Sequence, residues 1–163
     1  MGEVSQPQNN FRCSDGASGL ASDTGVNGAA WAALLETAWA ALERAHAPYS
    51  GFRVGAAALM SDGTISAGCN VENASYPLGI CAERVALGAA VANFRLRPGQ
   101  LTAMAVVSEA EGLTPPCGAC RQTMAEFARD IPILLANRHR KKLHRLKDIF
   151  PEAFTRGNLA VEA

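Results

Sequence analysis

Charge of a single sign is missing from this sequence: Lys and Arg number 15, Asp and Glu number 15, and the formal net charge at pH 7 is zero. A chain without a net field has no general attraction for nucleic acid or an anionic membrane, so a small or uncharged partner is expected. Long hydrophobic runs are also missing. Apolar stretches such as Val54 to Met60 fall far short of the ~20 residues a membrane helix needs, and a soluble protein is expected. No basic, then apolar, then small-residue signal segment is present. The cysteines, Cys13, Cys69, Cys81, Cys117 and Cys120, are odd in number, which fits thiols in a reducing cytoplasm better than a secreted disulfide framework. No internal repeat is found.

What is present is enough for one domain: 163 residues, 48% of them apolar. Residues 1–26 are rich in Ser, Gly, Asn and Asp without apolar periodicity and read as a disordered tail, leaving 27–163 as the domain. From Asn27, an N-cap residue type, Trp31, Leu34, Leu35, Ala38, Leu42 and Ala45 recur at helical spacing up to the stop at Pro48. Asp62-Gly63 between two apolar runs predicts a hairpin. "CAERVALGAAVANF" reads as a helix with Ala82, Val85, Ala86, Ala89 and Phe94 available for one face, and "LTAMAVV" reads as a buried strand. "CGACRQTMAEFARD" then reads as a helix, "IPILLA" as a strand, and Leu143 to Phe154 as a last helix interrupted by Pro151. The order αββαβαβα, with helical crossovers between strands, predicts a mixed sheet covered on both faces: a three-layer α/β/α fold.

The stretch "PPCGACRQ" holds a C-x-x-C at a helix start, where unpaired N–H groups and the dipole stabilise thiolates. By itself it fits a redox pair, half of a structural zinc knot, or part of a catalytic metal site. "ICAERVA" adds Cys81 at another predicted helix start, with Glu83 two residues on. Two helix N-termini converging at one end of a sheet bring three sulfurs to one tetrahedral ion and leave its fourth position open, the form of a catalytic zinc. A fourth ligand from Cys69 or a histidine would make the site structural instead. C-x-E at one helix start and P-C-x-x-C at another is the zinc-deaminase pattern in its three-cysteine form.

At these residues the sequence resembles the zinc-dependent cytidine deaminases, specifically their short-chain homotetrameric class. The resemblance runs from about Trp31 to Phe154 through "PYSGFRVGAA", "GCNVENASYPLGICAER", "PPCGACRQTMAEF" and "FPEAF". It implies a mixed, mostly five-stranded sheet, one Zn2+ per chain on Cys81, Cys117 and Cys120, and Glu83 as the proton shuttle in hydrolytic deamination of a pyrimidine nucleoside. It further implies that Asn70 and Glu72 hold ribose hydroxyls, that Phe52 packs on the pyrimidine, and that Phe154 leans over a neighbouring subunit's site in a homotetramer.

Each implied role has a plainer counterpart. Asn70 and Glu72 also suit an ordinary turn, Phe52 a core position, and Phe154 local packing. Arg84 and Arg121 would donate to the zinc-bound sulfurs and offset the negative charge of three thiolates on one dication, or else form surface ion pairs. The basic run Asn137 to Lys147, "NRHRKKLHRLK", is a solvated face or a contact with RNA or another polyanion. The latter underlies the alternative function, a deaminase of polynucleotides, beside one acting on a modified pyrimidine nucleoside. The function expected from the resemblance is deamination of cytidine and 2′-deoxycytidine to uridine and 2′-deoxyuridine.

Overall fold

A computed structural model describes residues 24–159, so Cys13 and most of the expected tail lie outside the described residues. Helix α1 spans Gly28–Leu42, and the Asn27 side chain caps it by accepting from Ala30 N–H at 2.8 Å. Trp31, Leu34, Leu35, Ala38 and Leu42 form its buried stripe, as their spacing predicts. Packing begins before Asn27: Val26 is buried, and Trp31 Nε1 donates to Thr24 Oγ1 at 3.3 Å. The helix ends well short of Pro48. Arg44 and Ala45 bond instead to the carbonyls of Ala41 and Leu42 in a tight turn, which delivers His46 to a bridge with Val71. Tertiary pairing overrides the helical pattern there.

Strands β1 (Val54–Met60) and β2 (Ile65–Cys69) form the expected hairpin. Gly63 takes φ +87° in its turn, and the Asp62 carboxylate accepts from Thr64 N–H at 2.9 Å. Helix α2 (Ala82–Phe94) leads to β3 (Leu101–Ser108), and α3 (Gly118–Phe127) leads to β4 (Pro132–Ala136). The sheet order is β2-β1-β3-β4-β5, with β3 and β4 parallel and the other neighbours antiparallel. One core layer lies between the sheet and α1, built on Trp31, Leu34, Ala57, Leu59 and Leu134. The other lies beneath α2 and α3, built on Ala56, Ala58, Ala86, Met104, Met124 and Ile133. The fold is a mixed five-stranded sheet within three α/β/α layers.

Two expectations need correction. The chain from Leu143 to Phe154 is not one helix: β5 (Lys141–Arg145) pairs antiparallel with β4, and only α4 (Leu146–Ile149) is helical. "KKLHR" lacks the apolar alternation that marks a half-buried strand. Its cations suit an edge position, where charge discourages pairing with another chain. On α2 the buried stripe is Ala82, Ala86, Leu87 and Ala90, while Phe94 is exposed. Close approach to the sheet decides this, because a Cβ at Gly68 would lie 2.3 Å from Ala86 N and 2.5 Å from Ala82 O. Among the described residues no helix is long and apolar enough to cross a membrane.

Gly68 therefore fixes the seat of α2, and Gly55 does the same for α1, where a Cβ would meet Ala38 O at 2.0 Å. Either glycine changed to alanine should destabilise the fold by about 1–3 kcal/mol or more in thermal or denaturant unfolding. The two variants should differ in their content of the zinc that the resemblance implies. Gly68→Ala pushes on the turn that carries Cys81 and Glu83 and should retain less zinc, whereas Gly55→Ala should retain it.

Candidate active site

Cys81 is the N-cap of α2 and Cys117 the N-cap of α3, both with extended backbone (φ −73° and −68°), while Cys120 is buried in the first turn of α3. The crossover through α3 starts at the C-terminal end of β3, so both helix N-termini meet at one end of the sheet. Cys81 and Cys117 sulfurs are 3.8 Å apart, Cys117 and Cys120 sulfurs 3.4 Å, and all three lie within 4.8 Å of one another. Tetrahedral zinc with Zn–S bonds of about 2.3 Å requires sulfurs about 3.8 Å apart, so the donor set fits that ion. Cys69 is not in the group; its Sγ faces the carbonyl of Arg44 at 3.4 Å. Among the described residues the cluster contains no histidine and no carboxylate oxygen, so no fourth protein ligand closes it.

Burial pushes the Cys81 thiol up, and the neighbouring Cys117 adds to that; Cys120, more deeply placed, is pushed up strongly by burial and then by the Glu83 carboxylate. Burial acts upward on Cys117 too, but N–H groups of Cys120 and Ala119 and the two neighbouring thiols outweigh it, and the net shift is downward. Three crowded sulfurs thus resist joint ionisation unless positive charge joins them. A dication answers that need chemically.

Arg84 contributes as well. Burial works against its charge, but Cys81 first, then Cys120 and Cys117, more than compensate. Its Nη2 donates to Gly79 O at 3.2 Å, while Nε is buried without a hydrogen-bond partner. Arg121 is placed differently: Nε donates to Pro116 O and Nη1 to Ile149 O, each at 2.7 Å. It braces the peptide just before Cys117 through carbonyls.

Glu83, in the first turn of α2, is 4% exposed. Burial raises its pKa, against the opposing effects of its own backbone N–H, the Cys120 thiol and Arg84. A carboxyl moved toward neutrality beside a metal position can both take and return a proton.

Glu72 and Asn70 grip the loop that follows Pro48. Glu72 Oε2 accepts from Tyr49 N–H (2.9 Å) and Ser50 N–H (3.2 Å), and Oε1 accepts from the Ser50 hydroxyl. These bonds, that of Ser50 first, hold the Glu72 pKa below the usual carboxylate range. Asn70 Oδ1 accepts from Val54 N–H at 2.9 Å and Nδ2 donates to Phe52 O at 2.8 Å. Ser50 was not foreseen; the only signal for it is its place in the turn "PYSG". A cleft of about 350 Å³ is lined by Tyr49, Ser50, Glu72, Asn73, Tyr76 and Gly79. Phe52 and Phe154 are 43% and 58% exposed, so neither is a core residue of the chain.

The basic run is largely engaged within the molecule. Arg138 bonds Glu109 at 2.9 Å and lies 4.1 Å over the Trp39 ring, Arg140 donates to Glu111 O, and Arg145 and Lys147 pair with Asp130. Such exposed pairs are each worth at most about 1 kcal/mol. Asn137 is buried and donates to the carbonyls of Ala110 and Glu111, tying the run to the loop that leads to Cys117.

Three thiols around one position, with a buried carboxyl beside them, are the donor set and the acid/base group that a metal-dependent hydrolase needs. Residues 31–135 match the family described as the cytidine and deoxycytidylate deaminase zinc-binding region. A cytidine deaminase of Halalkalibacterium halodurans is 49% identical over 105 residues, which are 64% of this chain and 77% of that protein. One from Mycobacterium tuberculosis is 40% identical over 124 residues, 76% and 89% of the two chains. The crystal structure of cytidine deaminase from Burkholderia pseudomallei superposes with a TM-score of 0.72 at 49% identity, covering 76% of this chain and 98% of that one. The chain belongs to the cytidine and deoxycytidylate deaminase family, whose members are zinc hydrolases.

Cys120→Ala should reduce zinc from about one ion per chain to a small fraction of that and lower the unfolding temperature, since thiolate binding energy is coupled to folding. Cys69→Ala should keep its zinc. Elemental analysis of the two purified variants makes the comparison.

Proposed function

We propose that the protein deaminates cytidine and 2′-deoxycytidine hydrolytically, giving uridine or 2′-deoxyuridine and ammonia. The observation that carries this reading is the cluster of Cys81, Cys117 and Cys120 with Glu83 buried beside it, in a chain of this family. Its relatives at 49% and 40% identity are named cytidine deaminases. Zinc held by the three thiolates would supply Lewis acidity toward a water next to C4 of the ring. Glu83 takes one proton of the water at its carboxylate and passes it to ring N3, then takes the second from the C4 hydroxyl and passes it to the exocyclic nitrogen. Water adds oxygen at C4, the C4–N bond breaks, and the amine leaves as ammonia.

Phe52 packs on the pyrimidine, and Asn70 and Glu72 meet the ribose. A carboxylate has about four lone-pair sites, and in Glu72 the Tyr49 and Ser50 donors occupy three of them, so capacity for a hydroxyl remains. Asn70 likewise keeps one N–H and one lone pair. Arg84 offsets the charge of the sulfurs directly, and Arg121 does so only by placing the Cys117 loop. The chain assembles as a homotetramer in which Phe154 reaches a neighbouring site, a reading supported by its exposed ring and by exposed Tyr76 and Leu78. A reducing cytoplasm suits a centre made of thiols.

The decisive assay follows loss of cytosine absorbance on incubation with cytidine. Cytidine should be consumed at micromolar to millimolar concentration, and a single-stranded oligonucleotide carrying one cytosine should be a far poorer substrate. Preference for the oligonucleotide, suppressed steeply by salt, would favour the polynucleotide reading instead. Glu83→Gln, isosteric but unable to shuttle a proton, should lower kcat about 10²- to 10⁴-fold while zinc content stays at wild-type level.

A further inference from the structure

Gln122 lies two positions after Cys120 on α3, and its side-chain amide forms a reciprocal pair with the backbone of Phe154. Nε2 donates to the Phe154 carbonyl at 2.7 Å, and the Phe154 N–H donates to Oε1 at 3.2 Å. A primary amide used in this way imitates the edge of a β-strand and fixes both peptide groups of a single residue. Together with the bond from Arg121 to Ile149 O, it gives two consecutive residues of the metal-ligand helix a hold on the end of α4 and on the segment that follows it. That segment has no helix or strand of its own between residues 150 and 155.

The outcome is an aromatic ring 58% exposed on a fixed backbone. Four residues earlier Phe150 packs, partly buried, against the core under α2 and α3, so the anchoring of this segment does not depend on Phe154. Ordering a backbone costs entropy, and leaving a phenyl ring in water forgoes its burial. Both costs are recovered if the ring is presented to something outside the chain.

We propose that Gln122 is a positioning residue that holds Phe154 for docking at the substrate site of a neighbouring copy, and so couples that ring's placement to the helix carrying Cys117 and Cys120. The proposal rests on the role given to Phe154 above. It adds that this role depends on an amide belonging to a different element of the fold.

The test is a cycle of Gln122→Ala, Phe154→Ala and the double variant, with cytidine as substrate. Gln122→Ala should raise KM by about as much as Phe154→Ala, roughly 3- to 10-fold for the loss of two hydrogen bonds. The effect on kcat should be smaller, zinc should stay at one per chain, and the double variant should be no worse than Phe154→Ala alone. Amide hydrogen exchange at Phe154 should quicken about tenfold in Gln122→Ala. Multiplicative effects on KM, an unchanged KM in Gln122→Ala, or unchanged exchange at Phe154 would each overturn the proposal. If Phe154→Ala has a normal KM, the role of that ring falls and the proposal with it, while wild-type turnover of cytidine still upholds the deaminase reading. Should Gln122→Ala fold poorly, Gln122→Glu provides the same test, since it keeps an acceptor for Phe154 N–H but can no longer donate to the carbonyl.

Discussion

Crowding three ionisable sulfurs into one half-buried spot is unfavourable, and most of the architecture serves to make it tolerable. Sulfurs at 3.4 and 3.8 Å repel one another once ionised, and burial penalises each charge separately. Compensation arrives in three forms. Two helix N-termini bring the positive ends of their dipoles to the same place, Arg84 lies beside Cys81 with its Nε buried, and the divalent ion of this family supplies the remainder. The topology follows from this need. A sheet that sends two crossover helices back from one end supplies two such termini together, and here they are α2 and α3.

The loops around the centre are held by side chains rather than by regular structure. Glu72 and Asn70 pin residues 49–54, Asn137 and Arg140 hold carbonyls ahead of Cys117, and Arg121 holds Pro116. A polar side chain with several backbone partners does locally what a strand ladder does over a longer span. The irregular chain around the metal position is therefore fixed without adding layers to the fold.

What could be read from the sequence was whatever is written in local order. Cys81 with Glu83 and Cys117 with Cys120 sit at helix starts, where spacing along the chain dictates spacing in space. Asp62-Gly63 is a turn whatever surrounds it. Strand β5 was illegible because "KKLHR" pairs only with the backbone of β4, and backbone pairing leaves no mark on residue type. The stripe on α2 shifted from Phe94 to Ala90 because Gly68, fourteen positions before Ala82, decides how the helix sits. The bonds of Ser50 to Glu72 and of Gln122 to Phe154 join residues 22 and 32 positions apart, and no periodicity reaches so far.

Cys81 and Cys117 stand 36 positions apart, and all of α2 and β3 lies between them. An ion that grips both closes this stretch into a ring, as a disulfide would. Ring closure of that length restricts the unfolded chain by about 4 kcal/mol on the polymer model of cross-links. The catalytic ion is in this respect also a removable staple, and the helix that carries Glu83 is inside the loop it closes.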